Sequence, residues 1–253
     1  MRPTAPSSRS DRGTSKLKAG ALLLAAACFC AACGSDTGGS PRAAQTTSSK
    51  PTAFVKRVTN PWFPLTPGTV FVYRGVKDGE PSRDVVRVTS RTKLIDGVRC
   101  TVVSDRLYVR GHLAERTSDW YAQDERGNVW YYGEATAELD EAGHVTSTEG
   151  SWQAGVDGAR PGILIPAAPR VGQSFRQEYY KGKAVDHSQV LSVSASVRVP
   201  YTSSKHALLT REWTPLEPGV IDHKLYVRGI GLVKEETVKG GNERAVLSTV
   251  RRR

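Results

Sequence analysis

The sequence is poor in the short words that announce catalysis. It has no Gly-x-Ser-x-Gly elbow and no penicillin-binding Ser-x-x-Lys with its companions in order, so neither common serine-nucleophile signature can be read. The histidines are few, His112, His144, His187, His206 and His223, and none has the His-Glu-x-x-His spacing of a helical zinc hydrolase. Gly229-Ile230-Gly231 leads into another strand-like segment, not a helix, and so lacks the setting of a dinucleotide fingerprint. A triad assembled in space leaves no such word. These absences therefore tilt the reading away from an enzyme without closing it, and no catalytic residue, metal ligand or cofactor site is assigned. Long apolar runs are missing too. The longest, Ala19 to Ala32, is shorter than the roughly 20 residues a permanent membrane span requires.

That run has another use. Arg2, Arg9, Arg12, Lys16 and Lys18 precede it with a single acid, Asp11, which is the charge pattern of an export signal. At its end, Cys30-Ala31-Ala32-Cys33-Gly34-Ser35 resembles the lipobox of bacterial lipoproteins, with small residues before the cysteine. Cys30 stands where that family usually has leucine. Cys28, after Ala25-Ala26-Ala27, is the competing position, but Phe29 is an unusual residue to follow a tether. The resemblance implies cleavage before Cys33, a diacylglycerol thioether on it, and attachment to the outer face of the cell membrane, since two acyl chains suffice for stable anchoring. Residues 1–32 then form the signal. Cys100 is left as the one cysteine of the body, unable to make an internal disulfide and flanked by Val98, Val102 and Val103 as a small buried hydrophobe would be.

A net charge of +11 invites a nucleic-acid reading, which its distribution undermines. The signal holds five of the basic residues, the linker holds Arg42 and Lys50, and the chain ends in Arg251-Arg252-Arg253. Between Ala53 and Val250 there are 26 basic and 23 acidic residues, or +3. A nucleic-acid binder carries its excess on the fold itself. No nucleic-acid partner is expected, and the basic tail suits solvent or anionic headgroups. Residues 33–52, rich in Ser, Thr, Gly, Ala and Pro, read as a flexible spacer after the lipidated cysteine. Residues 53–253 read as a single β-rich domain with a basic tail.

The periodicity of the body is two. Leu191, Val193, Ala195, Val197 and Val199 alternate with Ser192, Ser194, Ser196 and Arg198, predicting a strand with one apolar face. Further strands are expected over 70–73, 85–89, 98–109, 207–213, 224–228 and 232–238. Turns are expected at Lys77-Asp78-Gly79, Asp96-Gly97, Glu125 to Asn128 and Gly240 to Asn242. The one helix-like stretch, 135–142, is short and uncapped. The expectation is an all-β fold, an antiparallel meander curled into a barrel, half-barrel or sandwich. An internal echo raises the question of two similar halves. Leu107-Tyr108-Val109-Arg110-Gly111 returns as Leu225-Tyr226-Val227-Arg228-Gly229, and Gly68-x-x-Phe71 returns as Gly172-x-x-Phe175. The intervals from Gly to Leu differ, 39 residues against 53, so the match is not a strict repeat.

Trp120, Tyr121, Trp130, Tyr131 and Tyr132 flank a turn at 124–128 and are the candidate ligand-binding residues. They would form a stacking platform for a glycan or other flat amphiphile, with Asp119 and Glu134 as polar partners. Their plainer reading is packing, because aromatic residues dominate β cores and cross-strand pairs. Asp124 to Asn128 is too short a loop for the six to eight oxygens of a calcium site. Asp186-His187 and Asp222-His223 cannot be dyads on a strand, where neighbours face opposite ways. Asn60 to Gly68, stiffened by prolines, should lead into the first strand and plug one end of the sheet. Pro161 to Pro166 reads as an apolar loop, a lid or a crossing connection.

The words Asn60-Pro61-Trp62-Phe63-Pro64-Leu65, Asp119 to Asp124 and Gly229 to Val233 resemble a family of exported bacterial proteins of unknown function, from about Asn60 to the end of the body. That resemblance implies no activity. The function expected is a non-enzymatic, membrane-anchored binding domain for an amphiphilic or glycan ligand, or for a partner protein. The alternatives are an envelope-acting hydrolase and a purely structural envelope protein.

Overall fold

The computed structural model describes Pro51 and residues 53–252; the expected signal over 1–32, the expected tether at Cys33 and the expected spacer through Lys50 lie outside the described residues. Among those described, the chain forms β1 (Phe54–Val55), β2 (Val70–Lys77), β3 (Glu80–Ile95), β4 (Val98–Val109), β5 (His112–Asp124), β6 (Val129–Leu139), β7 (Val145–Ser147) and β8 (Trp152–Gln153). It continues with β9 (Arg160–Ile165), β10 (Ser174–Arg176), β11 (Glu178–Tyr179), β12 (His187–Arg198), β13 (Ser203–Trp213), β14 (Ile221–Val227), β15 (Gly231–Lys239) and β16 (Arg244–Arg251). The stretch 135–142, helix-like in sequence, lies partly in β6, which runs on to Leu139 before a turn.

Local chemistry explains the meander. Asp78-Gly79, Asp96-Gly97 and Arg110-Gly111 have positive φ at both positions, the two-residue hairpin turn whose twist matches that of the flanking strands. Such turns keep successive strands adjacent and antiparallel, and the order β10-β12-β13-β14-β15-β16-β2-β3-β4-β5-β6-β9-β11 is one sheet. Only Gln177 separates β10 from β11, so the two ends of that order meet and the sheet is a nearly closed barrel. The seam is slight. Three residue pairs join β10 to β12, and two join β11 to β9, one of them through Pro161, which has no N–H to give. Gly162 is required there, because a Cβ at that position would lie 2.4 Å from the Arg176 carbonyl oxygen. The segment 161–165 is therefore a seam strand, not the loop its prolines predict.

The barrel is built twice. Gly68 N–H donates to the Val88 carbonyl (2.9 Å) while Val88 N–H donates to Thr69; Gly172 N–H donates to Val190 (2.8 Å) while Val190 N–H donates to Gln173. From that shared start, six strand positions follow in each half: β2, β3, β4, β5, β6 and β9, then β10/β11, β12, β13, β14, β15 and β16. The halves join at β16 with β2 and at β9 with β11. The Leu-Tyr-Val-Arg-Gly echo does not mark this symmetry. Its first copy ends β4 and its second ends β14, which is the counterpart of β5. Leu107 and Val109 are buried in the first copy, whereas Tyr226 is buried in the second, so the same word turns opposite faces inward.

One mouth of the barrel is plugged as the prolines predict. Asn60 donates to the Gly127 (2.8 Å) and Pro166 carbonyls, Gly229 N–H donates to Pro61 (2.7 Å), and Trp62 and Leu65 are buried. The plug thus spans from the β5–β6 turn to its counterpart, the β14–β15 turn.

Candidate functional site

The five aromatic residues of the β5–β6 hairpin are all buried, Trp120 at 6% exposure and the other four at 2% or less. They divide between faces. Tyr121 and Tyr131 stack across strands inside the barrel at 5.0 Å, with Phe63 of the plug edge-on to Tyr121. Trp120, Trp130 and Tyr132 occupy the outer face, with the Lys93 ammonium over Trp120 and Phe54 edge-on to Tyr132. Cys100 is buried there too, and burial pushes its thiol up to about 12. None of the five is displayed to solvent. The turn beside them is self-sufficient, as Asp124 accepts from Asn128 N–H, Asn128 Nδ2 and Trp130 Nε1 at 2.8–2.9 Å.

Asp119 and Glu134, the polar partners expected for those rings, sit directly opposite each other on β5 and β6, and both are buried. They belong to a larger set. Asp84, Asp105, Glu115, Glu178, Asp186 and Glu212 are likewise buried, and Glu235 contacts the buried Lys224. These acids come from β3, β4, β5, β6, β11, β13 and β15, with Asp186 just ahead of β12. Beside them, Thr117, Thr136 and Glu115 share hydrogen bonds of 2.8–3.2 Å.

Positive charge within this set is sparse. Lys224 Nζ lies 2.8 Å from Glu212 Oε2 and 3.5 Å from Glu235 Oε1, all in the second half. Lys77 bonds Glu243 at 2.6 Å. Burial alone would depress the Lys224 ammonium, but Glu212, Glu235 and Tyr226 more than reverse that and hold it well above its ordinary value. Burial drives the acids the other way. Asp84 is pushed up to about 6, Asp186 to about 7, and Glu235 to about 8 even with Lys224 pulling it down. Asp105, Asp119, Glu134 and Glu178 are raised well above the carboxylate range by burial first and by neighbouring carboxylates second.

Among the described residues, Gln177 Oε1 and Ser188 Oγ, buried beside these acids, have no hydrogen-bond partner, whereas Asp84 and Asp105 share a hydrogen bond and Tyr121 hydrogen-bonds Asp119. Native interiors leave few such groups, and each calls for an explanation. Histidine is not among the described interior groups. His187 stacks on Trp213 at 5.5 Å, half-buried, beside the buried Asp186, and His112, His144 and His206 are exposed. Among the described residues, no three of His, Cys, Asp and Glu are arranged to hold a metal ion.

Sequence alternation missed most of this set, because Glu115, Thr117 and Asp119 on alternate positions read as a solvent face. One signal was available: Glu134-Ala135-Thr136 and Glu235-Glu236-Thr237 occupy matching places in the two halves.

No family model matches the sequence, and no curated protein matches it. Among solved structures, the chain is similar to a protein described as exported, with a YmcC-like fold, from Bacteroides fragilis NCTC 9343. That likeness has a TM-score of 0.44 and 16% identity and covers 79% of this chain and 100% of that one. It is also similar to a protein described as a lipoprotein from Parabacteroides distasonis ATCC 8503, with a TM-score of 0.33 and 14% identity, over 76% of this chain and 99% of that one.

Proposed function

We propose that the chain is an exported lipoprotein, tethered through Cys33 to the outer face of the cell membrane, whose body binds a small polar or amphiphilic envelope molecule and does not transform it. The tether is supported by the charged n-region, the short apolar run and the lipobox-like Cys30 to Ser35. Binding is supported chiefly by one observation: both halves of the barrel contribute buried carboxyl groups, and the buried Lys224 pairs with those of the second half alone. Fully ionised, such an interior is untenable. Each unit by which a buried carboxyl is raised costs about 1.4 kcal/mol once it ionises, and Asp84, Asp186 and Glu235 alone would cost on the order of 10 kcal/mol near pH 8, comparable to the whole stability of a domain. Protons or the positive and hydrogen-bonding groups of a guest offset that cost. The glycan-like and amphiphilic classes both fit, since a tyrosine pair, Tyr121 and Tyr131, adjoins the acids. The thin seam at β9 and β11 is the natural way in. A hydrolase is less well supported, because no described histidine lies among the buried acids of the interior.

The test has two arms on the mature chain. A fatty-acid analogue should label the wild type and leave Cys33→Ala unlabelled. The chain purified from membranes in mild detergent, then denatured, should release about one equivalent of a small molecule detectable by mass spectrometry. Label retained in Cys33→Ala refutes the tether; a chain that releases nothing, and takes up nothing from an envelope extract, refutes the binding reading.

A further inference from the structure

The charges of the barrel are not spread evenly between its two mouths. Because successive strands alternate in direction, the β5–β6 and β14–β15 turns, the β9–β10 connection and both ends of the described chain meet at the plugged mouth. Each of these carries exposed basic residues. Lys56 and Arg57 lead into the plug, Arg126 and Arg228 stand on the two turns, Arg170 on the connection, and Arg251 and Arg252 at the end of the chain. One exposed acid, Glu125, lies among them, since Asp124 is buried and bonded within its own turn. Five of these seven cations fall in the stretch 53–250, where basic and acidic residues nearly balance. That balance conceals a separation of charge.

The opposite mouth is mixed in sign. There Arg110, on the β4–β5 turn, lies 4.0 Å from Glu80 and 3.7 Å from Glu141, and Lys77 bonds Glu243. The ion pairs between described residues lie at that mouth or on the barrel wall, and none uses the seven cations of the plugged mouth. A second feature accompanies the charge. The two most exposed large apolar side chains of the described residues are Leu94 at 67% and Val171 at 65%. Val171 follows Arg170, and Leu94 pairs directly with Arg99 across the β3–β4 hairpin. The tip of that hairpin, with its acid Asp96, lines a pocket together with Pro51 and Lys56, so it belongs to the same end. Apolar tips among cations suit the boundary between headgroups and acyl chains. Exposed cations without ion-pair partners suit an anionic surface. The body also meets the expected tether here, because Pro51 is at this mouth, 18 residues after Cys33.

We propose that the plugged mouth is the membrane-facing end of the barrel, its basic rim docked on anionic lipid headgroups with Leu94 and Val171 at the boundary. This rests on the tether proposed above and assigns the surface that the tether alone leaves unspecified. The tether keeps the body near the bilayer, and the rim decides which end makes contact. Each cation at an anionic surface is worth about fivefold in partitioning, so a rim of seven outweighs the single acid among them.

The experiment takes the chain from residue 33 onward with Cys33→Ala, so that no lipid contributes, and measures its sedimentation with vesicles. It should bind vesicles of phosphatidylcholine and phosphatidylglycerol in equal parts, leave them in high salt, and ignore pure phosphatidylcholine. Arg57→Glu, Arg126→Glu and Arg170→Glu together should weaken binding at least about a hundredfold, three cations at about fivefold each. Lys181→Glu, Lys239→Glu and Arg244→Glu change the net charge equally at the other mouth and should leave most of the binding. If the first triple variant does not fold, Arg126→Ala with Arg170→Ala should still cost about twenty-five-fold. The proposal is overturned if neutral and anionic vesicles bind alike, if the rim variants bind as the parent does, or if the two triple variants lose binding equally. A chain never labelled at Cys33 that binds anionic vesicles through this rim loses the tether and keeps the surface. A chain labelled at Cys33 that ignores anionic vesicles keeps the tether and loses the surface.

Discussion

Replacing Lys224 with Met probes the charged interior where its balance is best defined. Lys224 and Glu212 are both buried, with side chains 3% and 4% exposed, and Glu235 lies on the other side of the ammonium at 3.5 Å. Met keeps most of the length and removes the charge. Taking one member from a buried, bonded set leaves the rest uncompensated, which typically costs about 3–5 kcal/mol. The cost depends on pH, and its sign follows from the acids. Glu235, raised to about 8 with the lysine present, rises further without it. A raised carboxyl favours folding below its unfolded pKa, and that advantage drains away as pH climbs through the folded value. At pH 5 Glu235 of the variant is largely protonated and the loss should be the smaller. At pH 8.5 it should approach the upper figure. Urea unfolding of wild type and variant at both pH values measures the difference, and Lys224→Met combined with Glu235→Gln should recover part of the loss at high pH. An equal loss at both pH values, or no loss at either, would refute this account of the interior.

Other expectations concern the fold as a whole. Wild-type stability should decline between about pH 4 and pH 8, since Asp84, Asp186 and Glu235 are all raised and bind protons more tightly when folded; a urea-midpoint profile that climbs over that range contradicts it. Trp120→Ala and Trp130→Ala should each lose about 3–5 kcal/mol, as buried rings on the same outer face, and a midpoint that hardly moves for either would mean its ring is not buried. Gly162→Val should open the β9–β11 seam by forcing a side chain against the Arg176 carbonyl, seen as faster amide exchange over 174–179 and unchanged exchange in β3 and β4.

Much of the meander was legible because its determinants are local. The Asp-Gly turns at 78–79 and 96–97 set two-residue hairpins whatever surrounds them, and the strand expected over 98–109 is β4, residue for residue. Faces were harder. The alternation of Leu191, Val193, Ala195, Val197 and Val199 predicts one buried side, and Val197 and Val199 are buried, yet Val193 is 39% exposed and nearer the start of β12 it is Ser188 and Val190 that are buried. Register shifts between Val190, Ser192, Ala195 and Val197 break the phase, which no period-two count can anticipate. The hairpin aromatics misled differently. Adjacent Trp120 and Tyr121 face opposite ways, as alternation demands, but both faces are covered here, so neither ring is displayed and Trp120 and Trp130 do not differ in burial as one buried and one exposed ring would. The acid set was hidden for the converse reason: alternate polar residues signal solvent only when the opposite face is the core, and in this barrel the inward face carries them.

The central claim is that the barrel holds carboxyl groups out of water in both of its halves. Carboxyl-detected NMR titration of the mature chain in micelles and amine-free buffer, with assignments from Asp84→Asn, Asp186→Asn and Glu235→Gln, tests it most directly. The account predicts three carboxyls with midpoints near about 6, 7 and 8; finding all three in the ordinary range for exposed Asp and Glu, about 4, would contradict it.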